Sequence, residues 1–509
     1  MSGPLPQYQF LIARLVIAVG VFVIGCDALA ASPPARPYNV LTIIIDDVAA
    51  NLHSVKNKGP LRTPNIERIA DRGTWFSHAY NDAPVCCGSR TALLTGVHAA
   101  RSGVYYNTQP YRRAGTWISN VQTLPNAFLH HDYLTAGYGK IVHNAYQEDD
   151  IADYSPGFYK MFDRTDSVTH SDTSLLKFIL PNSKREISGH TSVNWTWGIL
   201  PDNWDRNDAT KLQQDTEQAN RTISFLREKH DKPFFLACGF WRPHVRWTVP
   251  KRYYDMFPLE KIELPAGYKA DDLDDLPKPG KWIASHRGEH AEVVASGMWK
   301  KSIQSYCASM AYIDEQIGRV LDALEKSPER DNTIVVFLSD NGFHLGEKDH
   351  WLKYALWEQT CRVFFSVSVP GYPKLFSETP VSLIDLYPTL ADLCGIPLPK
   401  TQTLDGVDLK NLLAGKTEKR GVPVLSTYGR GNHAIRDSRY RYIRYRNGDE
   451  ELYDHKNDPY EWTNLANDSR LDEVKKRLRA FLPKEDAPDV PEVNAEHDGS
   501  RWKDEAFAK

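Results

Sequence analysis

Two stretches of this chain end in the same way. Asn39-Val40-Leu41-Thr42-Ile43-Ile44-Ile45 runs almost without a polar break into Asp46-Asp47, and Thr333-Ile334-Val335-Val336-Phe337-Leu338 runs into Ser339-Asp340-Asn341-Gly342. A β-branched run without polar alternation must be covered on both faces, which is the condition of a buried parallel strand. Phe234-Phe235-Leu236-Ala237-Cys238, followed by a loop holding His244, repeats the pattern. Residues 133–138, followed by Lys140 and His143, repeat it more weakly. Helical patterns lie between these runs, the clearest placing Met310, Ile313, Ile317, Val320, Leu321 and Leu324 on one face ahead of Pro328. Such alternation specifies an α/β fold with a large, doubly wound, mostly parallel sheet flanked by helices, whose ligands sit beyond the carboxyl ends of the strands.

At 509 residues the chain fits that sheet domain plus a smaller companion. The large domain is expected over 37–415, with a polar, aromatic stretch at 150–210, including His170 and His190, as an insertion near the pocket. Past Leu413-Ala414-Gly415-Lys416 the composition changes to short alternating segments, at 440–445 and at Glu451-Leu452-Tyr453-Asp454, and then to a charged helix at 471–481. Residues 420–509 therefore read as a small C-terminal α+β domain with an antiparallel sheet. Lys and Arg number 62 against 65 Asp and Glu, a net charge of −3, which excludes the global basic surface of a nucleic-acid binder. Any anion site must be local.

Residues 1–31 read as an export signal: Arg14 precedes an apolar run at 15–24, and Ala28-Leu29-Ala30-Ala31 supplies a cleavage site. A periplasmic or secreted protein is expected. Val23-Ile24-Gly25-Cys26 also resembles a lipoprotein signal, which would anchor the chain by a lipid on Cys26 and competes with cleavage after Ala30. The seven cysteines, at 26, 86, 87, 238, 307, 361 and 394, show neither metal-ligand spacing nor a dense disulfide pattern. Most are expected to be buried as small hydrophobes.

Asp46-Asp47 and Asp340-Asn341 at two strand ends supply hard oxygen ligands of the kind that hold Ca²⁺ or Mg²⁺, although by itself the acidic pair reads equally well as a helix cap or turn. Cys86-Cys87-Gly88-Ser89-Arg90, followed by Leu94-Thr95-Gly96, adds to them. This segment resembles the signature of the sulfatase family, formylglycine-dependent enzymes of the alkaline-phosphatase-like superfamily. The resemblance extends through residues 39–47, Gly139-Lys140-Ile141-Val142-His143, Phe240-Trp241-Arg242-Pro243-His244, residues 340–347, and Glu451-Leu452-Tyr453-Asp454 with Asp458-Pro459. Lys140 to His143, the Pro243-His244 loop and Trp351-Leu352-Lys353-Tyr354 look closest to the iduronate 2-sulfatases.

The resemblance implies a sulfuric ester hydrolase acting on a sulfated sugar or glycan, with one Ca²⁺ held by Asp46, Asp47, Asp340, Asn341 and the converted side chain of Cys86. It implies a formylglycine made from Cys86 by a formylglycine-generating or sulfatase-maturating enzyme. One hydroxyl of its hydrate would attack sulfur and the other would release sulfate. Arg90 would neutralise charge and Lys140 would orient the sulfate. His244, with Lys353, would protonate the leaving oxygen, and His143 would take up the proton when sulfate departs. Ser89-Arg90 is expected to open a helix whose free N–H groups favour an anion. His344 and His350 read as satisfied loop histidines. Gly88 departs from the family pattern, which has Pro or Ala there. Two other readings remain open: a phosphoester or phosphonate hydrolase of the same superfamily, and an inactive glycan-binding relative in which Cys86 stays a thiol.

Overall fold

The computed structural model describes residues 36–50, 52, 61–143, 152–160, 176–179, 184–187, 190–193, 196–200, 213–492 and 506–507, besides residues 1 and 3. The segment read as an export signal, with Cys26, lies outside the described residues, as do His170 and the side chain of His190. The chain divides into Met1–Pro33 and Pro34–Lys509, and all of the described strands and helices belong to the second unit.

The continuous apolar runs form the middle of one eight-stranded sheet. Its strands are β1 (Asn39–Ile45), β2 (Thr74–Phe76), β3 (Leu134–Gly139), β4 (Tyr159–Lys160), β5 (Phe234–Gly239), β6 (Thr333–Ser339), β7 (Phe365–Ser368) and β8 (Leu375–Ser377), in the order β8-β2-β7-β6-β1-β5-β3-β4. Pairing is parallel except where β7 meets β6 and β2. Every residue of β1, β5 and β6 is buried, which is why these strands carry no polar alternation.

Register decides where chemistry can gather. Ile45 pairs with Ser339, Ile44 with Gly239, and Gly239 with Gly139. Four adjacent strands therefore end at one level, and the residues that follow them, Asp46, Asp340, Phe240 and Lys140, leave the sheet together. Backbone bonds hold the exits: Asp340 N–H to Ile45 O at 3.2 Å, Phe240 N–H to Ile44 O at 2.8 Å and Lys140 N–H to Gly239 O at 2.8 Å. Gly139 adopts φ 86°, and a Cβ there would stand 2.0 Å from Gly239 O, so the approach of β3 to β5 at the exit requires glycine.

The helices that matter for the site are α1 (Cys86–Thr95), α2 (Gln214–Arg227) and α3 (Trp299–Glu325). The apolar face of α3 buries Met310, Ile313, Ile317, Val320, Leu321 and Leu324, none more than 2% exposed, each contributing about 1.5–3 kcal/mol by leaving water. The same helix steadies the first strand exit: Tyr306 Oη accepts from Ala49 N–H at 2.7 Å and donates to Asp47 O at 3.1 Å. Near the C-terminus a four-stranded antiparallel meander, β9 (Val424–Thr427), β10 (His433–Arg436), β11 (Tyr440–Arg444) and β12 (Glu450–Asp454), is followed by α4 (Asp472–Arg479). This is the expected combination of a large mostly parallel sheet with a small antiparallel one.

One local expectation is corrected. The first helix after β2 begins at Cys86, not at Ser89-Arg90, because Val85 is extended (φ −147°, ψ 143°) and Cys87 N–H already finds an acceptor in Asn107 Oδ1 at 3.0 Å. The stretch at 150–210, read as an insertion, contains short strands at Leu176–Ile179, Lys184–Ile187, His190–Val193 and Thr196–Leu200. The six described cysteines are free thiols, and all but the half-buried Cys394 are buried.

Candidate active site

Helix α1 is buried along its whole length, which puts the side chain of Cys86, at its first position, beneath the four strand exits. Cys86 Sγ lies 3.3 Å from Asp46 Oδ1, 3.8 Å from Lys140 Nζ and 2.7 Å from Lys353 Nζ. The helix holds the sheet by two further links. Ser89 Oγ donates to Asp340 O at 2.5 Å, and Arg90 Nε donates to Asp340 Oδ2 at 2.7 Å. Arg90 also reaches Asp46 Oδ2 at 3.4 Å, Ile141 O at 3.2 Å and the carbonyl of Lys140, so one guanidinium at 1% exposure joins three strand exits. Its fork supplies five donors, and only such a fork could satisfy acceptors on three elements at once.

The two acidic pairs converge. Asn341 Nδ2 donates to Asp47 Oδ1 at 2.5 Å, and both Asp47 N–H and Asn341 N–H point at Asp340 Oδ1, at 3.4 and 2.8 Å. Asp47 itself is left-handed, at φ 61°. A non-glycine residue held there is costly and marks a site whose surroundings over-determine it. Lys140 pairs with Asp46, and Lys353 Nζ with Asp47 Oδ1 at 2.6 Å. Lys353 lies between Leu352 at φ 71° and Tyr354 at φ 75°, a second strained turn that aims its ammonium at Cys86.

Burial and charge set the titration of this cluster. Burial alone would raise Asp46, but Lys140, His244, Lys353 and Arg90 hold it well below the usual carboxylate range. Asp47 is pushed up to about 7 by burial, against Lys353 and with the help of Asp46 and Asp340. Lys353, although buried, is held well above the ordinary lysine range by Asp47, Cys86 and Asp46. Burial, reinforced by Asp46, drives the Cys86 thiol well above its usual range in spite of Lys140 and Lys353. A thiol so placed is not a thiolate nucleophile near neutrality.

The two histidines also face the cluster. His244 Nε2 stands 3.5 Å from Asp47 Oδ2, while its Nδ1 meets Val245 O at 2.6 Å. Burial, then Lys353 and Lys140, lowers its pKa well below the imidazole norm. His143, following β3, is lowered by burial and by the charges of Lys140 and Lys353. Its Nδ1 is buried with no hydrogen-bond partner among the described residues. Thus Asp46, Asp47, Cys86, Arg90, Lys140, His143, His244, Asp340, Asn341 and Lys353, spread over more than half the chain, meet around one side chain. His344 and His350 do not join them. Both are buried under the Lys353 turn, packed edge-on against Trp357, with His350 Nε2 at 2.7 Å from Lys353 O.

Three participants escaped the sequence reading. Asn107 supplies the acceptor for Cys87 N–H and donates to Tyr354 Oη at 3.3 Å, in a segment without any motif. Trp241 stands inside the Phe240–His244 motif yet bears no titratable group. Lys140 Nζ sits over its ring at 4.2 Å, and His244 packs on it with centroids 4.7 Å apart. Asp215, on α2, follows the weakly patterned insertion and gave no signal.

Comparison with known proteins identifies the family. The sulfatase family model matches residues 38–396, and a model for the C-terminal part of N-sulphoglucosamine sulphohydrolase matches 346–487. The chain belongs to the sulfatase family, and it is an enzyme, a sulfuric ester hydrolase. Among its relatives, a sulfatase of Formosa agariphila is 34% identical, covering 88% of this chain and 87% of that one. Mouse iduronate 2-sulfatase is 28% identical over 78% and 76%. Among solved structures, one in complex with its substrate D-glucosamine-2-N,6-O-disulfate has a TM-score of 0.67 at 20% identity, covering 88% of this chain and 97% of that one. A phosphonate monoester hydrolase from Silicibacter pomeroyi has a TM-score of 0.68 at 19% identity, covering 87% and 94%. At these identities the solved structures share the fold and no more.

Proposed function

We propose that this sulfatase removes a sulfate ester from a sugar, in the manner of the iduronate 2-sulfatases, using a formylglycine at Cys86 and one Ca²⁺. The observation that carries this reading is the convergence of Lys140 and Lys353 on the Cys86 side chain, beside an oxygen cluster built from two strand ends. A raised thiol pKa argues against plain cysteine chemistry and fits a residue that is changed before it acts.

The donor set suits a hard cation. Asp47 Oδ2 and Asn341 Oδ1 are buried oxygens without a hydrogen-bond partner among the described residues, and Asp46, Asp47, Cys86 and His244 present ligand atoms within 4.8 Å of one another. A cation among Asp46, Asp47, Asp340 and Asn341 would also explain how adjacent buried carboxylates can both stay ionised, which for Asp47 is otherwise opposed by burial. Bound there, Ca²⁺ supplies charge neutralisation at the sulfate oxygens and at the Cys86 position.

In its hydrated aldehyde form the Cys86 side chain offers a hydroxyl to sulfur and a second hydroxyl for release of sulfate. The protein's own groups do the rest. Arg90 neutralises charge beside the anion, and Lys140 orients it. His244, with Nδ1–H committed to Val245 O, holds Nε2 toward the reacting centre. Protonated also on Nε2, a form that its lowered pKa makes a strong acid, it gives that proton to the departing sugar oxygen together with Lys353. The lowered pKa of His143 keeps its ring neutral, and Nδ1, which has no partner among the described residues, is therefore open to accept the proton in the release step.

A sugar substrate is supported by the names of the relatives, an iduronate 2-sulfatase among them. The test is hydrolysis of 2-O-, 4-O-, 6-O- and N-sulfated monosaccharides by protein carrying formylglycine, each paired with the matching phosphate ester. Preference for a 2-O-sulfated uronide supports the reading. Preference for phosphate or phosphonate esters would replace it with that of a phosphonate hydrolase.

A further inference from the structure

His244 is presented by a turn that has no regular structure of its own, yet its imidazole must be aimed to within the reach of one hydrogen bond. Hydrogen bonds from several sides fix that turn. Asp215, in the first turn of α2 and 1% exposed, accepts Trp241 N–H on Oδ1 at 2.5 Å and Arg242 N–H on Oδ2 at 3.2 Å. His244 N–H closes the turn on Trp241 O at 3.0 Å. The carbonyl of Val245 is then shared: Trp241 Nε1 donates to it at 3.0 Å and His244 Nδ1 meets it at 2.6 Å. The shared carbonyl fixes Nδ1 as a hydrogen-bond donor, so the proton that His244 gives up as an acid is the one its imidazolium form carries on Nε2, facing Asp47 and the Cys86 pocket.

We propose that Asp215 is a positioning residue for the leaving-group acid, acting through the backbone of Trp241 and Arg242, with the Trp241 indole completing the clamp on Val245 O. A carboxylate that bridges two consecutive N–H groups fixes the orientation of the turn as a single hydrogen bond could not. Small misplacement of a catalytic group costs large factors in rate. The indole links this clamp to the sulfate side, since its face carries Lys140 Nζ at 4.2 Å and its flank carries His244. The inference rests on the assignment of His244 as the acid that protonates the departing oxygen.

A residue that only stabilises the fold would slow all substrates alike. A residue that aims the acid matters most where the leaving group needs a proton. The experiment measures kcat and kcat/KM for formylglycine-bearing enzyme on 4-nitrophenyl sulfate, whose phenolate leaves without help, and on unsubstituted phenyl sulfate and a sulfated monosaccharide, whose leaving oxygens are far more basic. Asp215→Asn keeps the shape but turns a donor toward one of the two N–H groups. The expected result is a fall of about 10- to 100-fold in kcat on the basic leaving groups, at or below the lower end of what a general acid contributes because the acid is misaimed and not removed, with a much smaller fall on 4-nitrophenyl sulfate and KM little changed. Trp241→Phe, which keeps the aromatic face and loses only the Nε1 donor, is expected to show the same selectivity more weakly and covers the case in which Asp215→Asn fails to fold. His244→Ala separates the two assignments. It should show the same selectivity at greater strength, and Asp215→Asn added to it should slow the enzyme little further. Selectivity in His244→Ala without any in Asp215→Asn and Trp241→Phe would overturn the inference alone. A uniform loss in His244→Ala would overturn the assignment of the acid and the inference with it.

Discussion

Arg90 binds Asp340, Asp46 and the carbonyls after Lys140 from a site with no access to water. Removing one partner of such a network leaves uncompensated buried charge, which costs far more than the net contribution of the intact network. Arg90→Ala is therefore expected to lower the unfolding free energy by about 3–5 kcal/mol in denaturant melts and to abolish turnover. Arg90→Lys should regain part of the stability but not the turnover, since an ammonium cannot span three strand exits. Arg90 was legible because it stands in the segment that resembles the family signature, and Asp46, Asp47 and Asp340 because they follow apolar strand runs and carry charge that a buried position would not tolerate without purpose. Asn107, Trp241 and Asp215 were not, since they act through backbone groups or ring faces and any polar or aromatic residue would look the same in a single sequence. The turns at Asp47 and Lys353, where non-glycine residues are held left-handed, were equally invisible.

At the scale of elements, α1 and the loop after it set the position of Cys86. Gly88 lies in the first turn of α1, where a Cβ would come within 2.9 Å of Ala83 Cβ and 3.1 Å of Val104 O. Helix propensity alone says that Gly88→Ala should stabilise by about 1 kcal/mol. The crowded surroundings reverse the sign, so this substitution is expected to destabilise by about 1–3 kcal/mol in the same melts. The departure from the family pattern at 88 thus has a packing counterpart. Beyond α1, His98 precedes a short helix (Ala99–Ser102), and Asp82 holds both its ring and Ala99 N–H, the latter at 2.6 Å. Burial would lower the pKa of His98, yet Asp82 raises it above the usual value. Between its unfolded pKa, near 6.5, and the higher folded one, the native state binds the extra proton. Stability from this pair is full below about pH 6.5 and is lost as pH rises through the folded value. The difference in melting temperature between wild type and His98→Gln should accordingly be largest in mild acid and shrink toward alkaline pH. The strand assignments came through to within a residue or two because burial on both faces dictates composition. The start of α1 did not, because its cap is the side chain of Asn107, from twenty residues away.

Over the whole molecule, the α/β architecture follows from the order of buried strands and amphipathic helices, and the site follows from register: Ile45 beside Ser339, Ile44 beside Gly239, Gly239 beside Gly139. The acidic pairs need not have met. They do so because β1 and β6 are neighbours ending at one level, a fact of topology that spacing in the chain does not contain. A cation held by Asp46, Asp47, Asp340 and Asn341 binds only the folded state, so Ca²⁺ should raise the melting temperature of the metal-stripped protein, by about 2.7 kcal/mol of stability at a hundred times its dissociation constant. Asn341→Ala should blunt that response.

The central claim is that Cys86, converted to formylglycine, performs the hydrolysis. Its most direct measurement is mass spectrometry of the peptide carrying Cys86, set beside sulfate release by the same preparations, over samples matured to different extents. The expected result is loss of sulfur and gain of an aldehyde at residue 86, turnover proportional to the converted fraction, no turnover in Cys86→Ala, and turnover largely kept in Cys87→Ala. Full activity with an unmodified Cys86, or activity that follows Cys87 instead, would contradict it.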